Sequence, residues 1–279
     1  MPTLKGDLLC AGIDYITATQ EPGPQLEELR ALALSLAEVE LSLGMYGKPY
    51  AAQGYEGFKV GHIAYGERGD GCMIRLGGPT AAAHWRPVYR NARHVTRIDL
   101  QATYRTTPEP PQAIRKHYDE LLRWSKNHNG RLEPEVMIGR GDAVTVYSGR
   151  RASDTFLRCY DKGRQSKQIQ FSGCVRYEGE FKGKRGHTLA TRVYRSQDEW
   201  SVSASLIMGL FNRRGACISS LARSFYDRTS LRKWLQCPAR LTDVDRSLQW
   251  LAVSVRPTVS AIVQRQGKES LRGLLGLSD

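Results

Sequence analysis

Three segments of this 279-residue chain alternate apolar and polar side chains with a period of two, and that pattern limits the fold more than any other feature. In residues 94–104, Arg97, Asp99, Gln101 and Thr103 fall on one side, and Ile98, Leu100 and Ala102 on the other. In 154–160, Phe156, Arg158 and Tyr160 oppose Thr155, Leu157 and Cys159. In 174–182, Arg176, Glu178, Glu180 and Lys182 oppose Val175, Tyr177 and Phe181. Side chains two apart share a face only in an extended strand. Strands with one apolar and one charged face belong in an antiparallel sheet covered on one side.

The rest of the chain supplies the cover. A first strand is predicted over 8–19. Pro22-Gly23-Pro24 then opens a helix in which Leu29, Leu32, Leu36, Val39 and Leu43 repeat at helical spacing, with Gly44 at the C-cap. Residues 55–78 predict two or three glycine-punctuated strands. Pro110-Pro111 starts a helix carrying Ile114, Tyr118 and Leu121 that ends near Asn129-Gly130. A further strand is predicted over 143–148. After His187 the pattern is helical. Val244, Leu248, Leu251 and Val255 line one helix, and Pro257 opens another carrying Val259, Ile262 and Val263. The predicted fold is α+β, a largely antiparallel β-sheet with helices packed on one face, followed by an α-helical C-terminal region. The expected division is a β/α core over 1–186 that carries the candidate site, and a helical region over 187–279 packed on or beside it.

The net charge is +13, a surplus that suits a polyanionic partner. From 140 to 192 there are 12 Lys and Arg against 5 Asp and Glu, so this fifth of the chain holds +7 of it. The six cysteines include no C-x-x-C pair, which fits a reduced intracellular protein better than a disulfide or zinc framework. No apolar run approaches the ~18 residues of a membrane span, and no secretory h-region follows Met1. A soluble, cytoplasmic protein without membrane attachment is expected. There is no G-x-x-x-x-G-K-[ST] loop for ATP and no G-x-S-x-G elbow.

Placed in one sheet, the three alternating segments would bring a tyrosine, several cations and two or more carboxylates onto one floor. The alternative is a solvent-exposed sheet face held by cross-strand ion pairs. A phenol titrates near pH 10 and needs help to attack a phosphodiester. Arg158 and Lys162 are placed to neutralise phosphate charge beside Tyr160. Asp99 and Glu178 offer the oxygen ligands that Mg²⁺ or Mn²⁺ prefers. Asp14 is a reserve ligand, and Glu180 a candidate either to support a metal-binding carboxylate or to join an ion pair. Arg97, Arg150, Arg151, Arg176, Lys182, Lys184 and Arg185 are candidate phosphate contacts. Gly139-Arg140-Gly141-Asp142 and Gly183-Lys184-Arg185-Gly186 read as phosphate loops or plain turns.

These residues resemble the replication initiation factor family, the rolling-circle initiators of small plasmids, filamentous phages and integrative elements. The matching pieces are Gly12-Ile13-Asp14-Tyr15-Ile16-Thr17, Thr96-Arg97-Ile98-Asp99-Leu100, Val146-Tyr147-Ser148-Gly149-Arg150-Arg151-Ala152-Ser153-Asp154, Leu157-Arg158-Cys159-Tyr160-Asp161-Lys162, Arg176-Tyr177-Glu178 and Val255-Arg256-Pro257-Thr258. The resemblance implies a metal-dependent, site-specific nickase and ligase for single-stranded or hairpin DNA at a replication origin. Tyr160 would become joined to the 5′-phosphate, Asp99 and Glu178 would hold the metal, and a 3′-OH would be left for the host polymerase. A host helicase and a second copy of the chain are further expected partners. Relatives often carry an acidic residue where this chain has Gln165. A relaxase for conjugative transfer, and a non-catalytic single-stranded nucleic-acid-binding protein, are the rival readings.

Overall fold

Glycine turns fold the first third of the chain into a meander. In a computed structural model, β1 (Gly6–Gln20) leads through α1 (Pro24–Ser42) to four consecutive strands, β2 (Gly47–Ala52), β3 (Tyr55–Val60), β4 (Ile63–Arg68) and β5 (Gly71–Gly77). Then come α2 (Gly78–Asn91), β6 (His94–Thr106), α3 (Pro110–Lys126), β7 (Pro134–Ile138), β8 (Val144–Ser148) and β9 (Thr155–Asp161). A short α4 (Lys162–Ser166) and a 3-10 turn (Ile169–Phe171) precede β10 (Cys174–Lys182), α5 (Gly183–Arg195) and α6 (Glu199–Arg213). The structure describes residues 6–106, 109–129, 134–138, 144–196 and 198–213, with single helical positions at 259, 263 and 264. The helices predicted around Val244–Val255 and beyond Pro257, and the loop at Gly139–Asp142, otherwise lie outside them. The chain divides into two compact units, Met1–Leu235 and Gln236–Asp279, and β1–β10 and α1–α6 belong to the first.

The ten described strands form one sheet in the order β2-β3-β4-β5-β1-β6-β10-β9-β8-β7. Every pairing is antiparallel. The longer helices gather on the apolar face. Trp85 of α2 packs edge-on against Tyr194 of α5 and donates its indole N–H to Glu199 of α6 at 3.0 Å. His117 of α3 meets Tyr177 of β10 and Phe211 of α6. Ile98, Leu100, Val175, Phe181 and Leu157 are fully buried beneath these helices. Gly179 lets α6 come this close, because a Cβ there would stand 2.8 Å from the Ile207 side chain.

Two sequence expectations need correction. Leu29 and Leu36 of α1 are buried, but Val39 and Leu43 are exposed, so the apolar stripe outruns the surface that α1 covers. The helix expected after His187 begins earlier, at Gly183. Besides the 3-10 turn, four elements lie where no strand or helix was expected: β2, β7, α2 and α4. The four described cysteines, Cys10, Cys72, Cys159 and Cys174, are free thiols. Among the described residues no helix is long and apolar enough to cross a membrane.

Candidate functional site

The three alternating segments are neighbours, and their polar sides face the same way. β6 pairs with β10, and β10 with β9. Register sets the rows. Thr103, Arg176 and Tyr160 stand side by side, as do Gln101, Glu178 and Arg158, and then Asp99, Glu180 and Phe156. On the far side of β6, Asp99 faces Tyr15 of β1. A register shift between Ile13 and Tyr15 marks a β-bulge at Asp14. Asp14 can thereby reach Arg176, with its Oδ1 accepting from Nη1 at 3.1 Å.

This polar face is buried. Asp99 and Glu178 are each 1% exposed and Tyr160 9%. Burying charge is costly unless it is paired and hydrogen-bonded, and here four cations meet four carboxylates. Arg97 grips Asp99 through two hydrogen bonds of 2.8 and 2.6 Å and also contacts Glu180 at 2.8 Å. Arg158 donates to Glu178 and lies 3.6 Å from Asp99. Arg176 donates to Thr103 at 2.8 Å and lies 3.9 Å from Glu178. Lys182 contacts Glu180 at 2.7 Å and donates to the Arg151 carbonyl.

Tyr160 donates its O–H to Glu178 Oε1. Burial, then the negative charge of Glu178, pushes the phenol far above its ordinary range, so the resting group is neutral. Burial also raises the Asp99 carboxyl to about 6, although Arg97 and Arg158 pull against that rise. Burial opposes the charge on Arg158, yet Glu178 and Asp99 hold it protonated more firmly than usual. The next two motif residues end the strand. Asp161 caps α4 by accepting the Arg164 backbone N–H at 2.9 Å. Lys162 lies 6.0 Å from the Tyr160 ring and donates to Gln165 at 2.8 Å. Burial, then the charge of Arg176, lowers its pKa.

A cleft of about 770 Å³ opens beside the phenol, with Asp14, Gln101, Lys162, Phe171 and Arg176 among its walls. It exists because β5 pairs with β1 only from Tyr15 to Gln20, leaving the N-terminal half of β1 without a partner on that side. The start of α2, at Gly78 and Pro79, forms the opposite wall.

The donor chemistry of Asp99 and Glu178 suits a hard divalent cation. Their present arrangement holds Arg158 between them instead, and among the described residues no three His, Cys, Asp or Glu converge on one point. An ion could join the two carboxylates only if Arg158 withdrew. Of the candidate phosphate contacts, Arg97, Arg176 and Lys182 belong to the paired floor. Arg150 and Arg151 are exposed in the turn between β8 and β9. Lys184 and Arg185 are exposed in the first turn of α5. Arg185 reaches Thr155 at 2.5 Å, on the helix-covered side. Trp85 and Tyr177 are core residues. Sequence reasoning gave no role to Thr103, Tyr15 or Phe171, whose places depend on register and on the α4 segment.

No family model and no curated protein matches the chain. Among solved structures it is similar to a rolling circle replication initiator protein from Geobacillus stearothermophilus. The TM-score is 0.52, with 18% identity, over 73% of this chain and 84% of that one. At that identity the likeness is one of fold.

Proposed function

We propose that this protein initiates rolling-circle DNA replication by nicking and rejoining one DNA strand through Tyr160. The observation that carries the reading is a buried tyrosine hydrogen-bonded to a carboxylate beside an open cleft. It stands on a fold shared with a rolling circle replication initiator.

The chemistry follows from the partners of the phenol. Glu178 Oε1 accepts the phenolic proton as the Tyr160 oxygen forms a bond to phosphorus. The bond from phosphorus to the 3′-oxygen breaks, and that oxygen leaves as a hydroxyl, taking its proton from solvent water in the open cleft. The 5′-phosphate stays on Tyr160, so rejoining needs no ATP. Lys162 and Arg176, at the cleft wall, stabilise charge on the phosphate oxygens. Asp99 and Glu178 are the residues that would hold Mg²⁺ or Mn²⁺, whose role when bound is to neutralise phosphate charge. Arg158 stands between those carboxylates, so Arg158→Gln is expected to tighten Mn²⁺ binding followed by electron paramagnetic resonance. Unchanged binding would remove Arg158 as the competing cation.

The deciding experiment incubates the protein with Mn²⁺ and single-stranded oligonucleotides tiling its own element's origin. A denaturant-stable protein–DNA adduct is expected, and Tyr160→Phe should abolish it. No adduct on any tile leaves the non-catalytic binding reading. An adduct that survives Tyr160→Phe moves the nucleophile elsewhere.

A further inference from the structure

The polar face does not stop at the paired floor. Followed along the register, one row of residues crosses seven strands: Lys48 on β2, Lys59 on β3, Ala64 on β4, Arg75 on β5, Thr17 on β1, Arg97 on β6 and Lys182 on β10. Residues directly opposite in a pairing share a face, so five cations lie on one line. Six inter-strand steps of ~4.8 Å make the row about 29 Å long.

Its outer half differs in kind from the floor. The residues of β2–β5 that face this way are Lys48, Tyr50 and Ala52, then Tyr55, Gly57 and Lys59, then Ala64, Gly66 and Arg68, and lastly Gly71, Met73, Arg75 and Gly77. That set holds four cations and no carboxylate. The acids of the same strands, Glu56 and Glu67, point to the opposite face. There Glu67 accepts from Arg30 and Tyr65. Among the described residues none of Lys48, Lys59, Arg68 and Arg75 forms an ion pair. Lys48 and Lys59 are exposed and sit directly opposite each other, an arrangement that costs the sheet stability.

Aromatic rings lie among these cations. Gly57 and Gly66 are paired, and a Cβ at Gly57 would stand 2.2 Å from the Tyr65 carbonyl oxygen. With no side chains there, Tyr50 can reach across β3 and β4 until its ring lies 5.5 Å from the Arg75 guanidinium. The Tyr50 hydroxyl and the Arg75 Nε have no hydrogen-bond partner. Arg68 covers Tyr55 at 4.7 Å. Tyr15 lies 6.0 Å from Arg75 and 4.3 Å from Arg97, so the row runs unbroken into the floor.

We infer that the polar face of β2–β5 is the track along which single-stranded DNA approaches the Tyr160 cleft. Lys48, Lys59 and Arg75 take backbone phosphates, and Tyr50 and Tyr55 offer ring faces to bases. Unpaired cations interleaved with aromatic rings match a single strand, whose bases are free to stack. A duplex keeps its bases stacked inside. The inference rests on the DNA reading above and adds the surface that reading lacked, since the paired floor has few cations free for phosphate.

The test is binding of an oligothymidylate of about 20 nucleotides, by fluorescence anisotropy over a range of salt concentrations. Each phosphate contact on a single strand contributes about 0.7 to the slope of log K against log salt. Lys48→Gln/Lys59→Gln should therefore lower the slope by about 1.4, whereas Arg30→Gln on the helix-covered side should leave it unchanged. A double variant that binds the single strand with the wild-type slope overturns the inference, as does one that loses duplex binding alone. Wild-type binding that depends on the lysines, with no Tyr160 adduct on any origin oligonucleotide, would keep the track and sink the nickase.

Discussion

The polar face of this sheet is two surfaces under different rules. On β6, β10 and β9, and at the bulge of β1, Arg97, Arg158, Arg176 and Lys182 are matched by Asp14, Asp99, Glu178 and Glu180. On β2–β5 four cations face outward with no acid among them. Burial explains the first. A charge held at 1% exposure must have its partner within the fold. Exposure permits the second, because an unpaired lysine in water costs little and remains available to something outside. One half is a self-contained network of ion pairs, and the other presents cations that the described residues leave unpaired.

The largest effect expected from this contrast is on stability in the paired half. Asp99→Ala would leave Arg97 without its bidentate partner and Arg158 without one of its two acids. Breaking one side of a buried pair costs roughly 3–5 kcal/mol, readable as a shifted urea midpoint. Replacing Glu178 and Arg158 together by Leu should cost much less than either change alone, because no charge is then stranded. Equal costs would mean that the floor is wet enough to screen its charges, and the two halves would cease to differ.

The sequence carried the chemical character of the paired half but not its pairing. Alternation identified β6, β9 and β10, and with them the faces of Asp99, Tyr160 and Glu178. It could not say that Arg176 stands beside Tyr160, because register is set between strands. The bulge that aims Asp14 at Arg176 left no mark in the sequence. The outer half was harder still. β2 reads as a turn, with Gly47 and Pro49 in six residues, and as an edge strand it tolerates both. Without β2, Lys48 and Tyr50 had no strand to align with Arg75. α2 was hidden by the internal Pro87, which argues against a helix locally, while Trp85 and Val88 hold it against the core. The Tyr-Asp-Lys string is partly structural, since Asp161 caps α4.

A smaller effect comes from the helix-covered side, where a buried histidine stands outside the pairing rule. His117 packs against the rings of Tyr177 and Phe211, and its Nε2 has no hydrogen-bond partner. Burial lowers its pKa from 6.5 to about 3. The unfolded chain therefore takes up a proton below pH 6.5 that the folded chain refuses until about pH 3. Its contribution to stability is whole above pH 6.5 and is lost as the pH falls, by up to about 1.4 kcal/mol per pH unit. His117→Leu should flatten that decline. Urea midpoints at pH 7 and pH 5 should lie closer together in the variant by the equivalent of roughly 2 kcal/mol. Parallel acid limbs would show that His117 finds a proton acceptor in the fold.

The smallest effect is the most telling about the outer half, because its sign is reversed. Lys48 and Lys59 oppose each other across the β2–β3 pairing with no acid on their face. Like charges in that position destabilise a sheet by ~0.2–1 kcal/mol. Lys59→Thr removes the repulsion and places a β-branched residue in a strand, so a gain of a few tenths of a kcal/mol is expected. The same change should weaken binding to single-stranded DNA and reduce its salt dependence by about 0.7. A residue that costs the fold and serves the ligand is the mark of an interface. If Lys59→Thr lowers stability instead, Lys59 serves the sheet, and the outer half needs no external partner to account for it.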